Sequence, residues 1–188
     1  MKPILLDFSE EFYTERLLIR NPLPGDGKAV YQAMQASLTE LKDWMPWAYQ
    51  EQTEDDVEIN IRDAHAKFLT REDLRLHIFN RETGEFIGSS GLHRINWSIP
   101  KFEIGYWIDS RYSGKGYITE ATEAITKFAF TELKANRVEI RCDSQNIKSR
   151  AIPERLGFNL EGILQNDGLS ADGKGLRDTC IYSKTTKD

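Results

Sequence analysis

Apolar residues recur at two spacings along this chain, and each spacing predicts a different kind of element. A spacing of three to four residues predicts amphipathic helices over four segments: 28–38, a segment that begins after Thr53, 117–133 and 147–156. A spacing of two residues, or a short apolar run, predicts strands over seven segments: 17–20, 74–78, 86–95, 102–108, 138–142, 158–164 and 176–183. Early strands followed by the order β-helix-β-helix-β-β predict an α+β fold with a mixed sheet.

Local signals refine these boundaries. Thr53, with Asp56 three residues further on, is predicted to cap the second helix as an imperfect capping box. The stretch 166–175 is rich in Gly and Asp, which predicts a flexible hairpin loop. No linker, repeat or low-complexity tract divides the 188 residues, so the sequence predicts a single domain, 1–188, that is long enough to bury a substantial core.

Charge and composition narrow the class of protein. The formal net charge of −5 argues against general nucleic-acid binding, which usually needs a basic surface. No apolar run approaches the roughly 20 residues of a membrane span, and the apolar stretch near Met1 is too short for a signal peptide. Cys142 and Cys180 do not make a disulfide framework. We therefore expect a cytoplasmic protein that binds neither nucleic acid nor a membrane.

The segment from Phe102 to Ala124 carries the most specific pattern, because a strand, a glycine loop and a helix start follow one another directly. Its loop reads R-x-x-G-x-G from Arg111 to Gly116. Backbone N–H groups that Gly114 and Gly116 leave uncovered at a helix N-terminus favour an anion. The pattern predicts a ligand that carries a diphosphate, although the loop is not a Walker A sequence and lacks the third glycine of the dinucleotide motif.

Further motifs accompany the loop in a fixed order. They are Thr14-Glu-Arg-Leu-Leu-Ile-Arg20, Gly105-Tyr-Trp-Ile108, Gly116-Tyr-Ile-Thr-Glu-Ala121, Asn146-x-x-Ser149, Leu156-Gly-Phe158 and Glu161-Gly162. From about Thr14 to about Tyr182 the set resembles the RimJ/RimL branch of the GNAT acetyltransferases, which includes enzymes that acetylate the N-terminal amine of ribosomal proteins. The resemblance implies a mixed sheet that is splayed at its fourth strand and flanked by helices.

The same resemblance implies the ligands. Acetyl-CoA would be the cofactor, and the acceptor would be an amine, most simply a protein N-terminal α-amine. The residues implied in cofactor binding are Trp107, Ile108, Arg111, Tyr112, Ser113, Gly114, Lys115, Gly116, Tyr117, Asn146 and Ser149. No metal is required, and a homodimer is left open. Small amines, such as polyamines or aminoglycosides, are the alternative acceptors, and a non-catalytic acyl-CoA-binding module is the alternative from another class.

Three residues are candidates for the general base. Glu103 lies on the strand that leads into the loop, where a partly buried carboxyl with a raised pKa could accept the proton of the amine. His93, on the preceding strand, has an ordinary pKa that suits the task. A second catalytic glutamate of the RimL type would fall on Gly168, so the adjacent Asp167 is the third candidate.

The proton donor and the acceptor site are predicted from the remaining motifs. Many family members use a tyrosine seven residues after the asparagine, but Pro153 occupies that position, so Ser149 is the candidate acid. Asn146 also lies where an N-cap would sit. Trp44 and Trp47 form an apolar cluster in the region that lines the family's acceptor site, and the alternative is that they only anchor a loop.

Overall fold

One eight-stranded sheet forms the centre of the computed structural model, which describes residues 2–186. The strands are β1 (Glu11–Tyr13), β2 (Leu17–Arg20), β3 (Leu74–Asn80), β4 (Phe86–Asn96), β5 (Lys101–Ile108), β6 (Arg137–Asp143), β7 (Asn159–Leu169) and β8 (Leu176–Thr185). Their order in the sheet is β1-β2-β3-β4-β5-β6-β8-β7. Only the β5–β6 pair is parallel, so the predicted α+β class with a mixed sheet is confirmed.

Five helices flank this sheet: α1 (Gly27–Ala36), α2 (Leu38–Lys42), α3 (Glu54–Thr70), α4 (Tyr117–Thr131) and α5 (Ile147–Arg155). Short 3₁₀ turns occupy Pro3–Leu5, Pro46–Tyr49 and Ser110–Tyr112. Within residues 2–186, no helix is both long enough and apolar enough to cross a membrane.

Alternation along β5 divides the core into two layers. Phe102 and Ile104 point to the face that α4 covers, where they join a large buried cluster with Ile125. Trp107 points to the opposite face and packs against the smaller cluster that α1 and α3 form there. The second face is less completely covered, and the candidate acceptor cleft lies on it.

β5 and β6 separate part-way along their length. Their pairing runs from Lys101–Arg137 to Ile104–Ile140 and then stops, while both strands continue. The predicted splay is confirmed: counted from Leu17–Arg20, the strand beside the gap is the fourth. The gap places a backbone edge next to the glycine loop that follows β5.

Several predicted boundaries were wrong, each for a local reason. β1 was missed because its three residues give too short a pattern, and Leu38 begins α2 instead of ending α1 because Ser37 breaks the helix (φ −115°, ψ 9°). The predicted hairpin loop 166–175 was too long, since β7 continues to Leu169.

The capping box at Thr53 is complete: Asp56 N–H donates to the Thr53 hydroxyl, and Thr53 N–H donates to the Asp56 carboxylate.

Candidate active site

The glycine loop after β5 presents a row of unoccupied backbone donors. Gly114 and Gly116 have φ values of +77° and +79°, and Gly116 is the N-cap of α4. In the described part of the chain, none of the N–H groups of residues 114–119 donates to a protein acceptor. These consecutive donors at a helix N-terminus suit a diphosphate.

The first half of the loop has a different task. The N–H groups of Arg111, Tyr112 and Ser113 donate to Asp109 Oδ1, Asp109 O and Ser110 O, so these three donors are occupied within the protein. The Arg111 guanidinium also folds back onto the fully buried Asp109 carboxylate, with Nε 3.0 Å from Oδ1. Asp109 therefore fixes the shape of the loop, a role that the sequence analysis did not assign.

Residues before β2 hold the second half of the loop. Arg16 Nε donates to Glu120 Oε2 (2.6 Å), and its Nη1 donates to the Lys115 carbonyl (3.0 Å). The Thr14 hydroxyl donates to the same Glu120 carboxylate (2.6 Å), and the Arg16 guanidinium lies 4.5 Å from the centre of the Tyr117 ring. Thr14 and Arg16 of this motif thus brace the loop and the start of α4 from about 100 residues earlier in the sequence.

The edge of β5 at the gap offers one further donor. Asp109 N–H donates to Ile87 O on β4 (2.9 Å), and the register pairs Ile108 with Gly88. Because N–H directions alternate along an antiparallel strand, Trp107 also directs its N–H toward β4, whereas Ile108 directs its N–H into the gap. Of Trp107 and Ile108, which the family resemblance implies in cofactor binding, only Ile108 directs its N–H to where an acyl oxygen in the gap could accept it.

Ser149 lies on α5 in a hydrogen-bonded pair with Tyr106 of β5. The Tyr106 hydroxyl donates to the Ser149 carbonyl (2.9 Å), and the Ser149 hydroxyl donates to the Tyr106 oxygen (3.3 Å). In a regular helix the N–H four residues later would occupy that carbonyl, but residue 153 is proline and has none. Asn146 caps the same helix, since its Oδ1 accepts from Ser149 N–H (3.0 Å).

An open cleft of about 450 Å³ lies on the less covered face of the sheet. Its walls come from α1, α3, the Pro46–Tyr49 turn and strands β3 to β5, and its chemistry is carried by Trp47, Trp107, Arg75, His77 and His93. The rings of Trp47 and Trp107 meet edge to face with centroids 5.9 Å apart. Trp44 is not among the lining residues, so only the second of the two predicted tryptophans reaches the cleft.

His93 and Glu103 are direct cross-strand partners on the face of this cleft. His93 Nδ1 is 2.7 Å from Asp73 Oδ2, while its Nε2 lies 3.8 Å from where a Cβ on Gly105 would stand, so the ring reaches over the cleft floor. Glu103 is not among the residues that line the cleft; its side chain is 20% exposed, and its Oε2 lies 3.5 Å from Arg94 Nε. Burial raises the pKa of the Glu103 carboxyl above its ordinary value, and this effect outweighs the Arg94 charge, which acts in the opposite direction.

Asp167 occupies a less favourable position for a base. It lies on β7, outside the cleft, and accepts from Arg141 Nη2 (2.9 Å). The neighbouring Thr179 hydroxyl and Arg141 guanidinium lower the pKa of its carboxyl, so it holds a proton less readily than an ordinary aspartate. Of the three candidate bases, the structure brings His93 and Glu103 together and leaves Asp167 apart.

Comparison with known proteins identifies this arrangement of loop, gap and cleft. The family profile described as "Acetyltransferase (GNAT) domain" matches residues 16–159, which is more than half of the chain. The chain belongs to the GNAT acetyltransferase family. As a GNAT protein it uses acetyl-CoA. The N–H groups of residues 114–119 fit the diphosphate of that cofactor. Space for the diphosphate is available at Gly114, where a Cβ would have no neighbour within 4 Å.

Individual relatives of this GNAT acetyltransferase include proteins named for ribosomal substrates. The Bacillus subtilis (strain 168) protein named "Putative ribosomal N-acetyltransferase YdaF" is 46% identical over 90 residues, a match that spans only about half of either protein (48% of this chain, 49% of the relative). A ribosomal-protein-serine acetyltransferase of Escherichia coli (strain K12) is 28% identical over 138 residues (73% of this chain, 76% of the relative).

A solved structure supports the fold. RimL, a ribosomal L7/L12 alpha-N-protein acetyltransferase in complex with coenzyme A, superposes with a TM-score of 0.85 at 19% identity and covers 92% of this chain and 95% of its own. At that identity the likeness concerns the fold, which agrees with the mixed, splayed sheet of the GNAT acetyltransferases.

Proposed function

We propose that this GNAT acetyltransferase transfers an acetyl group from acetyl-CoA to a protein N-terminal α-amine. The observation that carries the proposal is the charge of the cleft: in the described chain no Asp or Glu lines it, whereas Arg75 does. A polyamine or an aminoglycoside carries several positive charges and would meet no carboxylate there. A peptide carries its reacting amine at one end, and the open cleft with its Trp47–Trp107 pair has room and apolar surface for the residues that follow.

The proposed base is Glu103, acting on the amine through a water molecule. Burial raises the pKa of the Glu103 carboxyl toward neutral pH. A carboxylate whose pKa lies nearer the working pH is a more effective base than one with the ordinary value near 4. His93 is the competing candidate, because Asp73 orients it and its Nε2 faces the cleft floor.

The remaining groups surround the gap between β5 and β6. Bound acetyl-CoA supplies an activated acyl thioester. Ile108 N–H is directed into the gap and is the proposed donor to the acyl oxygen, in agreement with the general use of preset backbone donors at such positions. Ser149 is the proposed proton donor to the leaving thiolate, and Tyr106 positions it.

A panel of acceptors tests the proposal. We expect acetyl-CoA-dependent thiol release with peptides that have a free N-terminal amine, and little release with spermidine or kanamycin at the same concentration. Turnover with small amines alone would assign the chain to the alternative acceptor class. Binding of acetyl-CoA without turnover of any acceptor would favour the non-catalytic binding module.

Tyr106→Phe is a prediction specific to this site. The substitution leaves the Ser149 carbonyl without a donor, since Pro153 cannot replace it, and releases the Ser149 hydroxyl. We expect the free energy of unfolding to fall by about 1–2 kcal/mol. We expect kcat to fall roughly tenfold, because the Ser149 hydroxyl would no longer be held in position to protonate the leaving thiolate. The affinity for coenzyme A should not change.

The matched control for this prediction is Tyr13→Phe, which removes an exposed tyrosine hydroxyl that bonds only Glu11. It should change neither denaturant unfolding nor kcat. If kcat of Tyr106→Phe equals that of the wild type while stability falls, the hydroxyl is structural and does not position Ser149.

A further inference from the structure

Arg75 is a cation of the cleft floor that forms no ion pair within residues 2–186. Its Nη1 donates to the side-chain amide oxygen of Asn60 (2.6 Å), and no carboxylate within residues 2–186 lies within ion-pair distance of it. The charges of Asp73 and Asp63 act on Arg75 from beyond ion-pair distance, while Asp73 bonds His93 and Asp63 bonds Lys67. The guanidinium has five N–H donors, of which the Asn60 bond uses one, and Arg75 lines the cleft.

Two other partly buried arginines of this protein are paired with carboxylates. Arg20 binds Asp26 with two hydrogen bonds of 2.8 and 2.7 Å, and Arg137 binds both Glu139 and Glu161. Arg75 is comparably enclosed, and burial lowers its pKa because the charged form loses solvent. A partly buried cation with only an amide partner is a costly arrangement, and a carboxylate from a ligand would relieve that cost.

The register of the sheet gives the distance across the cleft floor from the Arg75 backbone to β5, the strand that carries the proposed base Glu103 and the Ile108 N–H. Arg75 pairs with Gly91, and Gly91 pairs with Gly105, so two inter-strand spacings, about 10 Å, separate the Arg75 backbone from β5. The intervening residue, Gly91, and the β5 residue opposite it, Gly105, are both glycines, so along this line the floor carries no side chain beyond the neighbouring His93 ring. Since an extended peptide advances about 3.3 Å per residue, the distance corresponds to two or three residues.

We propose that Arg75 selects acceptors by binding an acidic side chain at the second or third residue of the acceptor peptide. The inference rests on the proposed function, because it requires that the acceptor is a peptide N-terminus. The α-carboxylate of a free amino acid lies too close to its own amine to span the distance. The planar guanidinium would hold the acidic side chain through two parallel N–H donors.

Paired peptides test the proposal. Each pair is identical except for Asp against Asn, or Glu against Gln, at position 2 or 3, and kcat and KM are measured with wild type, Arg75→Gln and Arg75→Lys. For the wild type we expect a preference for the acidic peptide of about 10- to 100-fold in kcat/KM, expressed mainly in KM. In Arg75→Gln the preference should disappear, and in Arg75→Lys part of it should persist.

Arg62→Gln is the matched control, because it removes one positive charge from the neighbouring helix, where Arg62 pairs with Glu58 outside the cleft. It should retain the wild-type preference. Equal kcat/KM for both peptides of every pair in the wild type, or a preference that persists in Arg75→Gln, would overturn the proposal. The first of these results needs only the wild type, so it holds even if Arg75→Gln fails to fold.

The results also separate this inference from the proposed function. Peptide turnover without any acidic preference leaves the proposed function intact and removes the role of Arg75. Turnover of small amines but of no peptide removes both.

Discussion

Glu103→Gln is expected to lower kcat by about 100- to 1000-fold with little change in the affinity for acetyl-CoA, because general-base catalysis typically contributes a factor of this size. Glutamine preserves the shape of the side chain and its packing between β4 and β6, but it cannot accept the proton of the amine. The wild-type rate should fall as the pH decreases through the raised pKa of Glu103, since the protonated carboxyl is inactive as a base. That acidic limb should be absent from the residual activity of the variant.

His93→Gln is the matched comparison, since His93 is the direct cross-strand partner of Glu103. If Glu103 is the base, this variant should lose less than about tenfold in kcat, the effect of a disturbed neighbour. The reverse result, with a large loss in His93→Gln and a small loss in Glu103→Gln, would transfer the role to the Asp73–His93 pair. Stopped-flow or continuous thiol-release assays between pH 5 and 9 would measure both profiles.

Gly114→Asp is expected to weaken coenzyme A binding by at least about 100-fold. The substitution places a carboxylate beside the unoccupied N–H groups of residues 114–119, where it would repel a diphosphate and compete for its donors. The backbone itself costs less, since a side chain at a positive φ of this kind costs on the order of 1 kcal/mol. Titration calorimetry with coenzyme A would measure the affinity without any acceptor.

The control for this variant is Gly173→Asp. Gly173 has nearly the same backbone conformation, φ +71° against +77° for Gly114, and a Cβ at either position has no neighbour within 4 Å. The two variants therefore share the backbone strain and the added charge but differ in distance from the loop. Equal affinities for coenzyme A in the two variants would contradict the assignment of the diphosphate to this loop.

Local pattern was sufficient to predict the elements that build the cofactor loop. The alternation of β5, the two glycines of 114–116 and the amphipathic spacing of α4 are each encoded within a few residues. Short or interrupted elements were not predictable in this way: β1 has only three residues, and the separation of α1 from α2 depends on the backbone of Ser37 alone.

Contacts between distant residues explain what the sequence analysis missed in the site. Asp109 holds the loop from a fully buried position, but in the sequence it is one acid among 30. The bond between Tyr106 and Ser149 joins residues 43 positions apart, and the consequence of Pro153 for that bond is visible only when β5 and α5 are seen together. Arg75 gains its significance from the lining of the cleft, which within residues 2–186 includes no carboxylate, and no linear pattern records that lining.

The position of the transferred acetyl group tests the central claim most directly. Wild-type enzyme, acetyl-CoA and a peptide with one free N-terminal α-amine and one internal lysine would be incubated, and the product sequenced by tandem mass spectrometry. Our account predicts a single acetyl group on the α-amine and none on the lysine. Acetylation of the lysine alone, or an unmodified peptide under conditions in which spermidine is acetylated, would contradict it.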